Sequence, residues 1–486
     1  MTRPLQCVML AAQLSLAGCS LEPAYETPAS PMDTGWPDSV EAGCCDPRNA
    51  FDPDWRAFVS DSRLRRLIEL ALVDNRDLQQ AAASVAQARA GYQGAAAALY
   101  PSLGVDTYAG RAKLPALEQT PGGGSSAGSV ANTFQATVGF TAYELDFFGR
   151  ARSQAHAAEA RFHASLADYQ AARMALIGEV AGTWLTLKAN QSLLGLAERT
   201  FESQQHYGQM LRSSFNLGST ARIDVHQADA ITNTAAVQVS TYRMQVAQNL
   251  NALRVLVGQT VPAGLLPEGQ LGAQMATADV PAGVPSSLLE RRPDIRAAQA
   301  QLRAANAEIG SARAAYFPSF SLTGALGSLS GDFSRLLTSP AQFWNLAALG
   351  SLTLLDAGQR RAGVDATWAQ YDQRVAAYEQ TVLNAFREAA NALNARQEML
   401  PQVAAQRQLV EDYEQAYRQS RLRFEAGLDS YFSTMDAQRS LFGAQQRWLE
   451  LELAREINQV NLFKALGGGW SPGPTAIVGS AAQVAR

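Results

Sequence analysis

Few side chains in this sequence could do chemistry. His156 and His163 stand seven residues apart with Glu159 between them, which puts all three on one helix face and would suit a metal ion. No further ligand follows His163 at a useful spacing, so the group reads as a solvated coiled-coil face. Gly467-Gly468-Gly469 could cradle a phosphate, yet no strand precedes it and no helix starts after it. Ahead of Trp470 and Pro472 it reads as a helix stop. No nucleophile stands in a recognisable relation to a base. The expectation is a protein that is not an enzyme and needs no cofactor.

The elements around those residues explain what the chain does instead. Its 486 residues are 47% hydrophobic and 17% charged with a formal net charge of -4, so a large core is affordable and no basic face recommends nucleic acid. Beyond residue 20 no apolar run reaches the 18 or more residues of a membrane-spanning helix. Residues 1–18 carry Arg3, then a short apolar stretch from Cys7 to Leu16, and read as an export signal. Leu16-Ala17-Gly18-Cys19 resembles the bacterial lipoprotein box, in which Cys19 is acylated (palmitate is one such chain) and becomes the mature N-terminus; the alternative is an ordinary signal that happens to contain a cysteine. One lipidated residue tethers a chain to a leaflet without making it span. Ser20, rather than Asp, after the cysteine is compatible with delivery to the outer membrane. Residues 19–60 read as a lipid-anchored linker, within which Cys44-Cys45 could bond only in a strained vicinal loop. That pair has no functional account.

From there on the sequence repeats itself. Asp77-Leu78 with Tyr100-Pro101-Ser102 returns as Asp294-Ile295 with Phe317-Pro318-Ser319. Phe215-Asn216-Leu217-Gly218 returns as Phe424-Glu425-Ala426-Gly427, and Leu145-Asp146-Phe147-Phe148-Gly149 as Leu355-Asp356-Ala357-Gly358. A period of about 210 residues is far beyond a solenoid repeat and implies two similar halves, 61–258 and 286–467. In the second half Val364, Trp368, Tyr371, Val375, Tyr378, Val382, Ala385, Ala389 and Ala392 step alternately by four and three, the heptad spacing of a left-handed supercoil. Long helices are expected at about 150–216 and 358–426, each roughly 100 Å long. Shorter helices at about 62–98, 223–257, 286–314 and 433–466 would pair along them.

Strands are expected between the helices, at about 102–111, 133–146, 318–327 and 345–356. Phe134, Ala136, Val138, Phe140 and Ala142 alternate with Thr133, Gln135, Thr137, Gly139 and Thr141. Phe320, Leu322 and Leu326 alternate with Ser319, Ser321 and Thr323, and Leu346, Ala348, Leu352 and Leu354 with Asn345, Ser351 and Thr353. One apolar and one polar face suits a soluble sandwich or an outer-membrane barrel, and the export signal favours the barrel. Four strands cannot close a transmembrane barrel, and open edges are not tolerated in hydrocarbon, so copies must pool their strands.

Leu16–Cys19, Glu144-Leu145-Asp146-Phe147-Phe148-Gly149-Arg150, Glu290-Arg291-Arg292-Pro293-Asp294-Ile295, Asp436-Ala437-Gln438-Arg439-Ser440 and Leu466-Gly467-Gly468-Gly469-Trp470 together resemble the lipid-anchored, NodT/OprM-type branch of the TolC-like outer-membrane efflux factors. The resemblance runs over about 55–470. It implies an α+β membrane protein: a homotrimer whose 12-stranded transmembrane β-barrel, four strands per chain, continues into a periplasmic α-helical coiled-coil barrel. An equatorial belt would come from 259–285 and from the C-terminal segment 468–486. It implies an outer-membrane, lipid-anchored location and a passive exit duct for drugs or other small molecules. Its implied partners are a periplasmic adaptor (membrane fusion protein), an inner-membrane RND-type transporter and outer-membrane lipid, with no nucleic acid.

The resemblance also implies a periplasmic gate at the two turns, about 215–224 and 424–436. By position Asp436 matches an acidic ring residue, Phe432 an apolar constriction, and Asp224 an acidic position in the first hairpin. Ser433 stands where another family member has a second Asp, and Asp429 where that member has a basic latch, so Arg222 and Arg439 are the candidate latches. Three carboxylates around an axis would raise their own pKa values and favour cations, while a phenylalanine ring would resist wetting. The plainer alternatives are helix capping for the two aspartates and core packing for Phe432. For the whole chain, the competing readings are a channel for type I protein secretion or metal-ion efflux, and a lipid-anchored coiled-coil scaffold with an ordinary soluble sheet.

Overall fold

The computed structural model describes residues 20–29, 31, 54–113, 130–269, 275 and 292–468. The signal 1–18, Cys19, Cys44-Cys45, most of 259–285 and the tail 469–486 lie outside the described residues. The chain forms two units, one of Met1–Pro28, Ala86–Ala164 and Ala298–Ala377, the other of Ala29–Val85, Ser165–Ala297 and Tyr378–Arg486.

In chain order the elements are α1 (Ser62–Asp74), α2 (Arg76–Ala97), β1 (Gly104–Lys113), β2 (Val130–Glu144), α3 (Arg150–Asn216), α4 (Arg222–Val257), α5 (Pro293–Ala314), β3 (Ser319–Ser330), β4 (Gln342–Ser351), α6 (Gln359–Glu425) and α7 (Tyr431–Ala465). The single helix expected over 62–98 is two. Buried Asn75 takes an extended backbone between them, its Oδ1 accepting the Leu78 N–H at 2.7 Å and its Nδ2 donating to the Leu256 carbonyl at 2.8 Å. An amide that caps the second helix while tying down a third outcompetes helical continuation.

The repeated Asp-Gly segments start the two long helices in the same way. Asp146 Oδ2 accepts the Arg152 N–H at 2.9 Å and its Nε at 3.2 Å, and Asp356 Oδ2 accepts the Arg360 N–H at 3.1 Å and its Nε at 2.5 Å. A carboxylate at a helix start satisfies otherwise orphaned N–H groups and complements the dipole. These bonds from Arg360 hold the Asp356 carboxyl below its usual range.

Within the second unit the heptad seam is buried at Tyr378, Val382, Ala385, Ala389 and Ala392. The core there gathers Trp55, Leu64, Leu67, Ile68, Val180, Trp184, Leu185, Leu253, Val257 and Phe463, with Phe58 stacked on Phe463 at 4.3 Å between centroids. Arg292, 4% exposed, fixes the start of α5. It donates to both oxygens of Asp294, to Glu388 at 2.8 Å and to the Ala465 carbonyl at 3.1 Å.

In the first unit β1–β4 make one antiparallel sheet in sequence order, so among the described residues β1 and β4 are both edges. The expected alternation holds from Phe134 to Phe140 and then breaks. Phe140 lies opposite Gly324 and Tyr143 opposite Leu322, one extra residue on β2, with Ala142 at φ +53° and its N–H donating to Thr323 Oγ1 at 3.0 Å. This β-bulge moves Ala142 off the apolar face and puts Tyr143 on it. Leu352 and Leu354 also leave the expected apolar ladder, because β4 ends at Ser351. No helix of the described residues is long and apolar enough to cross a membrane.

Candidate functional site

The two helix-to-helix turns are closed by the same bonds. After α3, Gly218 N–H donates to the Phe215 carbonyl and Ser219 N–H to that of Ser214; after α6, Gly427 donates to Phe424 and Leu428 to Arg423. Each glycine sits at positive φ, +75° and +72°, where a side chain would be strained. This pair of reversed bonds is a Schellman turn, so the duplication seen in the sequence reaches individual hydrogen bonds.

Asp224 is a capping residue here. Its Oδ2 accepts the Ala221 N–H at 3.2 Å and the Thr220 hydroxyl at 3.1 Å, while Arg222 lies over the Phe215 ring at 5.5 Å. Asp436 is not a cap: α7 begins at Tyr431 after Ser430, which leaves Asp436 in the second turn. Its Oδ1 accepts from Arg439 Nη2 at 2.5 Å within the same helix. Phe432 is 60% exposed, which removes the core-packing alternative within this chain.

The bond that spans the second turn was not expected. Arg423, in the last turn of α6, grips Asp429 with Nε at 2.6 Å and Nη2 at 3.0 Å. Those bonds hold the Asp429 carboxyl below its usual range. The signal was present in the sequence, a cation four residues before the turn glycine and an acid two residues after it. Beneath the turns lies a buried polar chain: Tyr431 OH donates to Gln204 Oε1 at 3.0 Å, and Gln204 Nε2 donates to Gln438 Oε1 at 2.6 Å. Tyr207, packed against Tyr431, is pushed up to about 12 by burial. In the first hairpin Arg212 pairs with Asp229.

The sheet segregates its residues by face. Register places Val105, Phe134, Val138, Phe140, Tyr143, Phe320, Leu322, Leu326, Trp344 and Leu346 on one side. Asp106, Thr133, Gln135, Thr137, Ser321, Thr323 and Asn345 take the other, where Tyr108, Leu329, Phe343 and Leu349 are exceptions. Aromatic pairs mark both ends of the apolar side, Phe134 with Phe333 and Phe320 with Phe147, each at 5.5 Å. From Phe134 to Tyr143 the ladder runs about 27 Å along the strand, close to the apolar band of about 25 Å in an outer-membrane barrel.

His156 does not face only solvent. Its Nδ1 lies 3.1 Å from Glu22 in the segment that follows Cys19. That segment is strapped to α5, with Arg313 donating to the Leu21 carbonyl, Asn306 to that of Pro23, and Gln299 to Thr27. No group of three or more His, Cys, Asp or Glu that could hold a metal ion occurs among the described residues.

A duplicated chain of paired long helices with a four-stranded sheet open at both edges has the fold of the TolC-like trimeric outer-membrane channels. The chain matches the family described as "Outer membrane efflux protein" over residues 67–259 and 284–468, and it belongs to that family. It is 41% identical over 464 residues to the solvent efflux pump outer membrane protein SrpC of Pseudomonas putida, which covers 95% of this chain and 97% of that protein. Among solved structures it is similar to a membrane protein from Pseudomonas aeruginosa, with TM-score 0.86 and 34% identity over 94% of this chain and 99% of that one. The open state of the MtrE outer membrane channel of Neisseria gonorrhoeae matches with TM-score 0.82 and 30% identity, covering 93% and 98%.

Proposed function

We propose that this protein is the outer-membrane exit duct of a tripartite efflux system, a passive, non-catalytic channel for drugs, solvents or other small molecules. One observation carries the reading: the sheet has an apolar face bounded by aromatic residues and two edges, β1 and β4, that are unpaired among the described residues. Edge strands leave a row of unsatisfied N–H and C=O groups, which hydrocarbon does not tolerate. Three copies joined β4 to β1 give twelve strands and no edge. A soluble scaffold would have to bury that same face against something, and in the described residues it stays largely exposed.

An inner-membrane RND-type transporter and a periplasmic adaptor deliver the cargo, a reading supported by membership of the efflux family and by the name of the solvent-pump relative. Asp436, Phe432 and Asp224 narrow the duct at the helix turns, with Arg222 and Arg439 beside them; the exposure of Phe432 and Asp436 supports this. The lipid on Cys19 anchors the mature chain, which the strapping of Leu21–Thr27 along α5 supports. The test is reconstitution: purified trimers should conduct in planar bilayers, and loss of the gene should sensitise cells to solvents or antibiotics. A monomer that stays soluble once residues 1–19 are removed would sink the channel.

A further inference from the structure

Charge on the sheet is sorted by face. Of its four charged residues, the cations Arg111 and Lys113 are both on β1, while the carboxylates are Asp106 on β1 and Glu144 on β2. Arg111 lies opposite Asn132 and Lys113 opposite Val130, in step with Val105–Val138 and Ala109–Phe134, so both cations belong to the apolar face. Asp106 pairs with Thr137 and Glu144 with Ser321, on the polar face. The cationic face therefore carries no carboxylate among the described strand residues, and both cations are exposed.

Their height is equally restricted. Arg111 is two residues beyond Ala109, which faces Phe134, so it stands about 7 Å past the Phe134–Phe333 aromatic pair, and Lys113 about 14 Å. On a lipid-facing strand a cation costs about 2–4 kcal/mol at the midplane and about 0–1 near the interface. These two sit where the cost is smallest and headgroups begin. Asn132, Ser328, Ser330 and Gln342 share that end of the same face and supply neutral hydrogen-bonding groups. The helices attach at the opposite end of the strands, so in the channel reading the cationic end is the outer one.

We propose that Arg111 and Lys113 form a binding site for the phosphate groups of a phosphorylated glycolipid in the outer leaflet of the outer membrane. This rests on the channel reading, which sets which side of the sheet meets lipid. Two cations about 7 Å apart on successive outward positions suit a headgroup that carries two phosphates, and guanidinium binds phosphate oxygens in a fork. A bound lipid would also seal the β1 side of the joint between neighbouring copies.

The experiment uses the full-length protein in detergent with diphosphoryl lipid A as probe, followed by mass spectrometry of the intact assembly. Wild type should retain diphosphoryl lipid A at least about fivefold better than fully dephosphorylated lipid A, a comparison that needs no variant. Arg111→Ser with Lys113→Ser should abolish that preference, and Arg111→Lys with Lys113→Arg should keep it. Equal retention of the two lipids by wild type would overturn the proposal, as would an unchanged preference in the serine variant. Displacement by millimolar inorganic phosphate would also overturn it, since the site would then be one for free phosphate. Single-channel conductance of the same preparations keeps the two readings apart: a silent wild type sinks the channel, whereas a conducting wild type without lipid preference sinks only this site.

Discussion

Arg423 and Asp429 form a two-pronged ion pair across the α6–α7 turn, with the guanidinium Nε 2.6 Å and Nη2 3.0 Å from the two carboxylate oxygens. The position that the resemblance aligns with a basic residue of another family member thus holds the acidic half of an ion pair whose cation is at the end of α6. Bidentate geometry fixes the orientation of the turn as well as its separation. It holds the start of α7, and with it Phe432 and Asp436, against the end of α6.

Asp429→Ala should raise single-channel open probability without changing trimer yield, because it frees the turn while leaving both helices intact. The pH dependence follows from the lowered pKa. The pair contributes fully above the ordinary carboxylate value of about 4 and is lost as pH falls through the lower folded value. Wild-type gating should therefore be flat around neutrality and loosen only at strongly acid pH, with Asp429→Asn insensitive in that range. Identical acid responses in the two proteins would remove the latch.

Asp436→Ala combined with Phe432→Ala should increase conductance in planar bilayers. In the proposed gate Phe432 would resist wetting and Asp436 would supply charge, so the double change would widen and neutralise the constriction. Unchanged conductance and unchanged cation preference would move the gate elsewhere and leave the channel standing.

Spin labels along 133–143 should alternate between oxygen and aqueous accessibility up to Thr141, then break phase. Ala142 should remain aqueous and Tyr143 should be lipid-accessible, because the bulge repeats one face. An alternation that ran through 142 undisturbed would contradict the register. No alternation at all would remove the barrel.

Arg292→Ala should cost about 2 kcal/mol, since it strands two carboxylates and the Ala465 carbonyl that a buried guanidinium serves. Glu388 is half-exposed, which keeps the loss below that of a fully buried pair. Arg292→Lys should recover only part, because one ammonium cannot fill three forked contacts. Thermal dissociation of trimers measures both.

Tyr431→Phe should cost about 1 kcal/mol by removing the donor to Gln204. Tyr207, pushed up to about 12, contributes stability that is complete below about pH 10 and lost as pH rises through about 12. Absorbance titration of the phenolates should show Tyr207 ionising late, and a normal titration would contradict its burial.

Local spacing determined the duplication, the two long helices, the four strands and, over most of their length, the apolar faces of β2, β3 and β4. Those follow from periodicity and from repeated Asp-Gly and Gly-turn segments, whose hydrogen bonds close within a few residues. Three features had no local signature of that kind. The break at Asn75 depends on the Leu256 carbonyl, 181 residues away; the bulge at Ala142 depends on Thr323 of a partner strand; and Arg292 draws together three elements. In each case the deciding interaction is with a group remote in sequence, which exists only once the chain has folded, and that is why packing rather than pattern settled those three places.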